Sequence, residues 1–321
     1  MLRKIFNFIK STSLVQGLLM LSKKIILPGF AGLPLYNVAD FFIKAIRNGS
    51  ITMRASSIAF KFFLAIFPAM IFLFSLIPYI PIDNFQEILL DQLRQFMPEN
   101  AYSLTESTIK DLIVHRRGGL LSIGFLMTIY VASNGINAII SAFNKSYFTL
   151  EKRTALKQRI ISFELIFILT FLLFTAILLI LFGKKILYWL VTHNYIQNDS
   201  TVSLLQIAQW STIVLLIYFS FSFIYFLGPS RKINWRFFSP GSTLSTLLTI
   251  LVSLGFAYFV NNFGQYNKLY GSIGSLIVIM LWIYFNSIIL LTGFELNASV
   301  QNARKAKEFN YSQQNHVENH S

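Results

Sequence analysis

The chain has no cysteine in 321 residues, which excludes disulfide frameworks, thiolate nucleophiles, cysteine-ligated zinc and iron–sulfur clusters. It is also poor in charge. Asp, Glu, Lys and Arg make up 12% of the residues, about half the share a soluble domain carries. Acids are the scarcer sign, with 13 Asp and Glu against 27 Lys and Arg, and there are only four His. In their place stand hydrophobic residues at 55% of the chain, 33 of them Phe. That composition excludes a water-soluble enzyme and makes lipid the solvent of most of the chain.

A bilayer core of about 30 Å needs roughly 20 apolar residues per helix. Six runs of that length lie near 56–80, 120–141, 162–183, 207–228, 239–260 and 273–294. The third, Ser162 to Gly183, holds one charge, Glu164. The second and fifth mix Ser, Thr, Asn and Gly with aliphatics, as expected of spans that face other helices. The reading is an all-α, polytopic membrane protein with six transmembrane helices.

The net charge of +14 alone would permit a nucleic-acid partner. Its placement points to lipid. Basic residues crowd into 1–55 (Arg3, Lys4, Lys10, Lys23, Lys24, Lys44, Arg47, Arg54), the second connection (Lys145, Lys152, Arg153, Lys157, Arg159), the fourth (Arg231, Lys232, Arg236) and the tail (Arg304, Lys305, Lys307). Those four segments lie on one side of six crossings and carry the whole surplus. The positive-inside tendency makes that side cytoplasmic, with both termini inside. Anionic headgroups then account for the basic excess, and no RNA-recognition or helix-turn-helix signature accompanies it.

The expected domain plan is a basic, amphipathic cytoplasmic arm at 1–55, a transmembrane domain at 56–298, and a disordered polar tail at 299–321. Leu14 to Leu35 is broken by Lys23, Lys24, Pro28 and Pro34, so it reads as an interfacial arm. Its Leu14 to Leu21 core lacks a small-residue cleavage site and is expected to be retained. Between the first two spans, residues 81–119 read as an external helical cap: Phe85, Ile88, Leu89, Leu93 and Phe96 recur at helical spacing, Met97-Pro98 interrupts, and Ile109, Leu112 and Ile113 begin a second face. A hairpin packed on the helix ends and a substrate lid both fit that pattern.

Polar groups inside the spans are the informative ones. Lys61, Glu164 and Glu295 all fall in the cytoplasmic third, where a charge must snorkel or pair. A Lys61–Glu164 or Lys61–Glu295 pair would close the inner end of a cavity. Asn134, Asn137, Ser141 and Asn144 share one helical face and need partners in hydrocarbon, either as glue between helices or as substrate contacts. Ser242, Thr246, Thr249 and Ser253 form a second stripe, and Pro68, Pro78 and Pro240 free backbone carbonyls.

Two stretches carry a family resemblance. Tyr266 to Ala298 (YNKLYGSIGSLIVIMLWIYFNSIILLTGFELNA) resembles the closing signature of the YihY/virulence factor BrkB family, and Arg54 to Phe74 (RASSIAFKFFLAIFPAMIFLF) resembles its first-span motif. Trp235 to Gly241 and Asn144 to Tyr147 fit as well. Two departures stand out: Phe294 sits where Ala is usual, and Phe60-Lys61 replaces a pair of aromatics. The resemblance implies a bacterial inner-membrane protein of unsettled biochemistry, once labelled a tRNA-processing ribonuclease.

The residues argue against that label. A metallo-nuclease needs convergent His and Asp ligands. His115 and His193 fall in external loops, and His316 and His320 in the tail, so neither a metal site nor another cofactor site is expected. There is also no G-x-S-x-G elbow, no GxxxxGK[ST] loop and no HExxH. The expected function is movement of a lipid-like or amphiphilic envelope molecule through a cavity rimmed by Lys61, Asn134, Asn137, Asn286 and Glu295. The alternative is a non-transporting envelope scaffold that binds anionic lipid, a partner protein or a second copy of itself.

Overall fold

The computed structural model describes residues 22–27, 29–48, 50–79, 118–145, 153–193, 199–230, 237–261 and 272–318. Among these residues there are helices and turns and no strand. Helix α1 spans Leu35–Asn48, α2 Ile51–Leu76 followed by a 3-10 turn Ile77–Tyr79, α3 Gly118–Asn144, α4 Ala155–Thr192, α5 Asp199–Leu227, α6 Pro240–Asn261 and α7 Ser272–Glu318. Six of them, α2 to α7, are long and apolar enough to cross a bilayer.

The helices outrun the apolar stretches that announce them. α2 begins at Ile51, so Arg54 lies on the first span and not in the preceding arm. α4 continues to Thr192. The largest departure is at the end of the chain, where the expected disordered tail is helical as far as Glu318. The reason is packing. Val300 and Ala303 on α7 join Phe30, Leu33 and Val38 in a small core, with Leu35, Phe41 and Leu296 against it. Arg304 adds an exposed pair to Glu308 one turn on, at 2.9 Å. The apolar run 14–21 and the cap at 81–117 lie outside the described residues.

α1 is amphipathic. Val38 and Ala45 are buried, whereas Ile43, Lys44, Ile46 and Arg47 are exposed.

Successive spans pack on one another, α2 on α3, α3 on α4, and so on to α7, which closes back on α2. The result is a ring of six antiparallel helices with α1 set against α7. The ring is packed unequally along its length. In α2 the buried residues are Ile51, Arg54, Ala55, Ile58, Ala59 and then only Ser75. In α3 they are Gly124 and then a block from Ser133 to Phe143. α5 is buried at Ile213 and then at Ser222, Ile224 and Tyr225, and α7 at Gly274 and then densely from Ser287 through Ala303. The well-packed end is therefore the one bearing the start of α2, the end of α3, the end of α5 and the start of α6.

Toward the opposite end, close contacts join consecutive helices in pairs. Phe72 meets Phe125 across α2 and α3 with ring centroids 5.4 Å apart. Gln209 of α5 donates to the Leu179 carbonyl of α4 at 3.0 Å. Phe256 of α6 meets Trp282 of α7 at 4.8 Å. Along these halves large apolar side chains are exposed, among them Phe67, Met70 and Leu73 on α2, Leu126 on α3, and Leu251 and Leu254 on α6.

Candidate functional site

The packed end is organised around an ion pair. Arg54 Nη2 donates to Glu295 Oε1 at 2.6 Å, and Arg54 Nη1 donates to the Ala142 carbonyl at 2.8 Å. One guanidinium thus ties α2, α7 and α3 together. The side chains are 8% and 0% exposed, and among the described residues Arg54 Nε has no hydrogen-bond partner. Burying two charges is expensive, and their attraction repays it only while both are present. Directly beside the pair, Phe294 is fully buried and stacked on Phe143, with centroids 4.0 Å apart and planes 8° from parallel. The aromatic that departs from the family's usual Ala therefore extends the same α3–α7 contact. Tyr225 of α5 completes the crossing: its hydroxyl donates to the Leu290 carbonyl at 2.8 Å and lies 2.6 Å from Ser245 Oγ of α6.

α6 and α7 approach closely at Gly241 and Gly293. A Cβ on Gly241 would collide with the Gly293 carbonyl oxygen, and one on Gly293 would collide with Ser245 Oγ and, at 2.7 Å, with the Gly241 carbonyl oxygen. Small residues let backbones meet in this way. The start of α6 is capped twice. Ser239 Oγ accepts from the Ser242 amide at 3.2 Å, Pro240 occupies the first helical position, and Asn297 Oδ1 accepts from the Gly241 amide at 2.7 Å. Asn297 Nδ2 donates back to Ser239 Oγ at 2.9 Å.

The polar face of α3 meets α4. Arg159 donates to Asn134 Oδ1 at 2.7 Å, Ser162 Oγ donates to Asn137 Oδ1 at 2.7 Å, and Gln158 Nε2 donates to Ser141 Oγ at 3.1 Å. Asn144 Oδ1 accepts from the Ser230 amide at 3.1 Å. Arg153, just before α4, donates to the carbonyls of Leu227, Gly228 and Pro229 and so closes the end of α5. Partial burial lowers the affinity of its guanidinium for a proton.

The residues expected to rim one cavity have separate partners. Glu295 is paired with Arg54 and not with Lys61, which is exposed on α2; Glu164 is exposed on α4, and among the described residues neither Lys61 nor Glu164 makes an ion pair. Asn134 and Asn137 bind α4, and Asn286 donates to the Trp282 carbonyl of its own helix at 2.8 Å. The residues that composition missed are Arg54 and Arg159. Each sits at the rim of an apolar run, where a cation passes for an ordinary interfacial anchor. Arg54 does open the first-span motif, just as Glu295 falls within the closing one.

No group of three or more His, Asp or Glu that could hold a metal occurs among the described residues. His193 lies on Trp189, with rings 4.7 Å apart and Nδ1 3.0 Å from the Trp189 carbonyl. His115 and His320 lie outside the described residues.

Comparison with known proteins agrees with the motifs. Residues 42–317 match the family described as virulence factor BrkB. A ribonuclease-like protein, YfkH of Bacillus subtilis, is 33% identical over 258 residues, covering 80% of this chain and 92% of that protein. A UPF0761 membrane protein of Tolumonas auensis is 25% identical over 263 residues, 81% of this chain and 84% of its own length. Another, from Chlorobium limicola, is 26% identical over 281 residues, 85% of this chain and 60% of its own length. No solved structure matches the chain. With six membrane-capable helices and a family match over most of its length, the chain is an integral membrane protein of the virulence factor BrkB family.

Proposed function

We propose that this protein resides in the bacterial inner membrane, termini inward, and moves a lipid-like or amphiphilic envelope molecule across part of the bilayer. The observation that carries this reading is the unequal packing of the ring. One end is closed by the Arg54–Glu295 pair and the Phe143–Phe294 stack, whereas the opposite halves of α2 and α3 bury only Ser75 and Gly124. Lys61 marks the change. It lies seven residues after Arg54, on the same side of α2, and is exposed where Arg54 is buried. An amphiphile entering between the paired helices would find apolar walls beside it and the polar closure at its head. Lys61 and Asn286 then rim the path, Glu295 lies buried in the closure at its end, and Asn134 and Asn137 hold its α3–α4 wall.

The charge distribution supports this orientation: the closed end is the basic end, and basic loops tend to stay in the cytoplasm. The ribonuclease-like name belongs to one relative; metal-dependent RNA cleavage would need a cluster of His and Asp ligands, and no group of three or more His, Asp or Glu that could hold a metal occurs among the described residues.

A second reading, a scaffold that binds anionic lipid or an envelope partner, is favoured by one feature, the exposed apolar and basic side of α1 at Ile43, Lys44, Ile46 and Arg47. Flux of a labelled envelope lipid in proteoliposomes separates the two. Transport requires flux above empty vesicles; scaffolding requires none, together with saturable binding of lipid or a partner protein.

A further inference from the structure

Arg159 is the innermost cation of the α4 approach. The next charge along the chain is Glu164, and Lys184 is the next cation. It lies within the stretch Ala155–Ile180 that can cross a bilayer, about 6 Å along the axis from Ala155. Its guanidinium is held in place from three directions. Asn134 Oδ1 accepts one N–H at 2.7 Å, the Tyr130 ring lies 4.7 Å from the guanidinium carbon, and the Phe163 ring lies 5.5 Å from it. Such flanking favours a guanidinium, which stacks on aromatic faces while its edges stay free for hydrogen bonds.

Two things are missing from this arrangement. Among the described residues Arg159 has no carboxylate partner, and its remaining N–H groups have no acceptor. A cation with spare donors at the edge of hydrocarbon is costly unless an anion or water meets it. The open side is apolar on both helices. Met127 and Tyr130 of α3 and Ile160 and Phe167 of α4 are exposed, with Tyr130 at 57%. A positive, fork-shaped donor set at the headgroup level, continued toward the bilayer centre by the exposed apolar side chains of α3 and α4, is complementary to a phosphate that carries acyl chains.

We propose that the groove between α3 and α4 binds the phosphate of a bilayer lipid at Arg159, with Asn134 fixing the guanidinium and Tyr130 and Phe163 flanking it. The acyl chains run along Met127 and Phe167. Asn134 is a positioning residue here, because it holds the guanidinium and not the lipid. The site needs only a membrane setting, so it stands whether or not the protein transports anything.

The test is photo-crosslinking of the full chain in nanodiscs with a phosphatidylglycerol bearing a diazirine in its acyl chain, followed by peptide mapping. Crosslinks are expected within 123–134 and 156–171. In Arg159→Gln they should fall about tenfold relative to crosslinks elsewhere on the protein, the loss of one charge-assisted contact. Arg159→Lys, which keeps the charge and loses the fork, should fall severalfold and serves as the measure should Arg159→Gln fail to fold. A diazirine diacylglycerol, lacking phosphate, should label the groove at the level of the Arg159→Gln background. Equal labelling by diacylglycerol, or undiminished labelling in both folded variants, would overturn the proposal. Displacement of phosphatidylglycerol by millimolar inorganic phosphate would also overturn it, because it would make the site one for a soluble anion.

Discussion

Arg54 and Glu295 are 241 positions apart in the chain and 2.6 Å apart in the structure. The pair joins the first span to the last, and through the Ala142 carbonyl it joins both to the second. Closing the ring at this point leaves the rest of each helix free to follow its neighbour.

Removing either partner strands a buried charge. Arg54→Gln and Glu295→Gln should each lower unfolding stability by about 3–5 kcal/mol, whereas Arg54→Met with Glu295→Met should recover much of that loss, since buried ion pairs are often replaceable by apolar residues. Reversible unfolding in mixed micelles across the double-mutant cycle measures the coupling. Additive losses would show that the two charges do not depend on each other.

Gly293→Ala should separate α6 from α7, because part of what its Cβ meets is the Gly241 backbone. We expect a loss of about 1–3 kcal/mol. Adding Ser245→Gly removes the hydroxyl but not the backbone collision, so the companion change should restore little. The same unfolding assay reads both variants.

Asn297→Ala removes an acceptor from the Gly241 amide and a donor to Ser239 Oγ, both buried. A loss of about 1–3 kcal/mol is expected, the cost of leaving buried polar groups unsatisfied. Amide hydrogen exchange should show it first at Gly241 and its neighbours, with the α4–α5 contact unaffected.

The absence of native cysteine makes orientation easy to measure, since each introduced thiol is the sole one. Lys44→Cys, Lys145→Cys and Lys305→Cys should react with a membrane-impermeant maleimide only from the cytoplasmic side, and Thr192→Cys only from the opposite side. All four positions are exposed. Labelling of Lys44→Cys and Lys305→Cys from different sides would refute the six-crossing topology.

The number and type of elements was legible because a membrane span announces itself by the length of its apolar run, without need of periodicity. Helix ends were less so. The tail is polar, yet the helix continues to Glu318, and the tail's first turns are held because Val300 and Ala303 meet Phe30, Leu33 and Val38 from the other end of the chain, a contact no local pattern reveals. At the site, the three- and four-residue spacing of Asn134, Asn137, Ser141 and Asn144 predicted a face that needs partners, and that face does meet Arg159, Ser162, Gln158 and Ser230. The charge pair was harder. Lys61 lies deeper in an apolar run and looked the better partner for Glu295, but depth along a helix does not tell which turn a distant helix will face. Arg54 wins because the buried face of α2 lies between Ile51 and Ala59, and Lys61 falls just beyond it on the exposed part of the helix.

The central claim is that a ring closed at one end and open along its opposite half carries an amphiphile. Proteoliposomes containing a short-chain fluorescent phospholipid, with a membrane-impermeant quencher added outside, test it directly. The account predicts that the inner-leaflet signal is lost faster with the purified protein than in protein-free vesicles, and that Arg54→Gln alters the rate. Loss at the protein-free rate for each envelope lipid tried, with the protein folded and inserted, would contradict it.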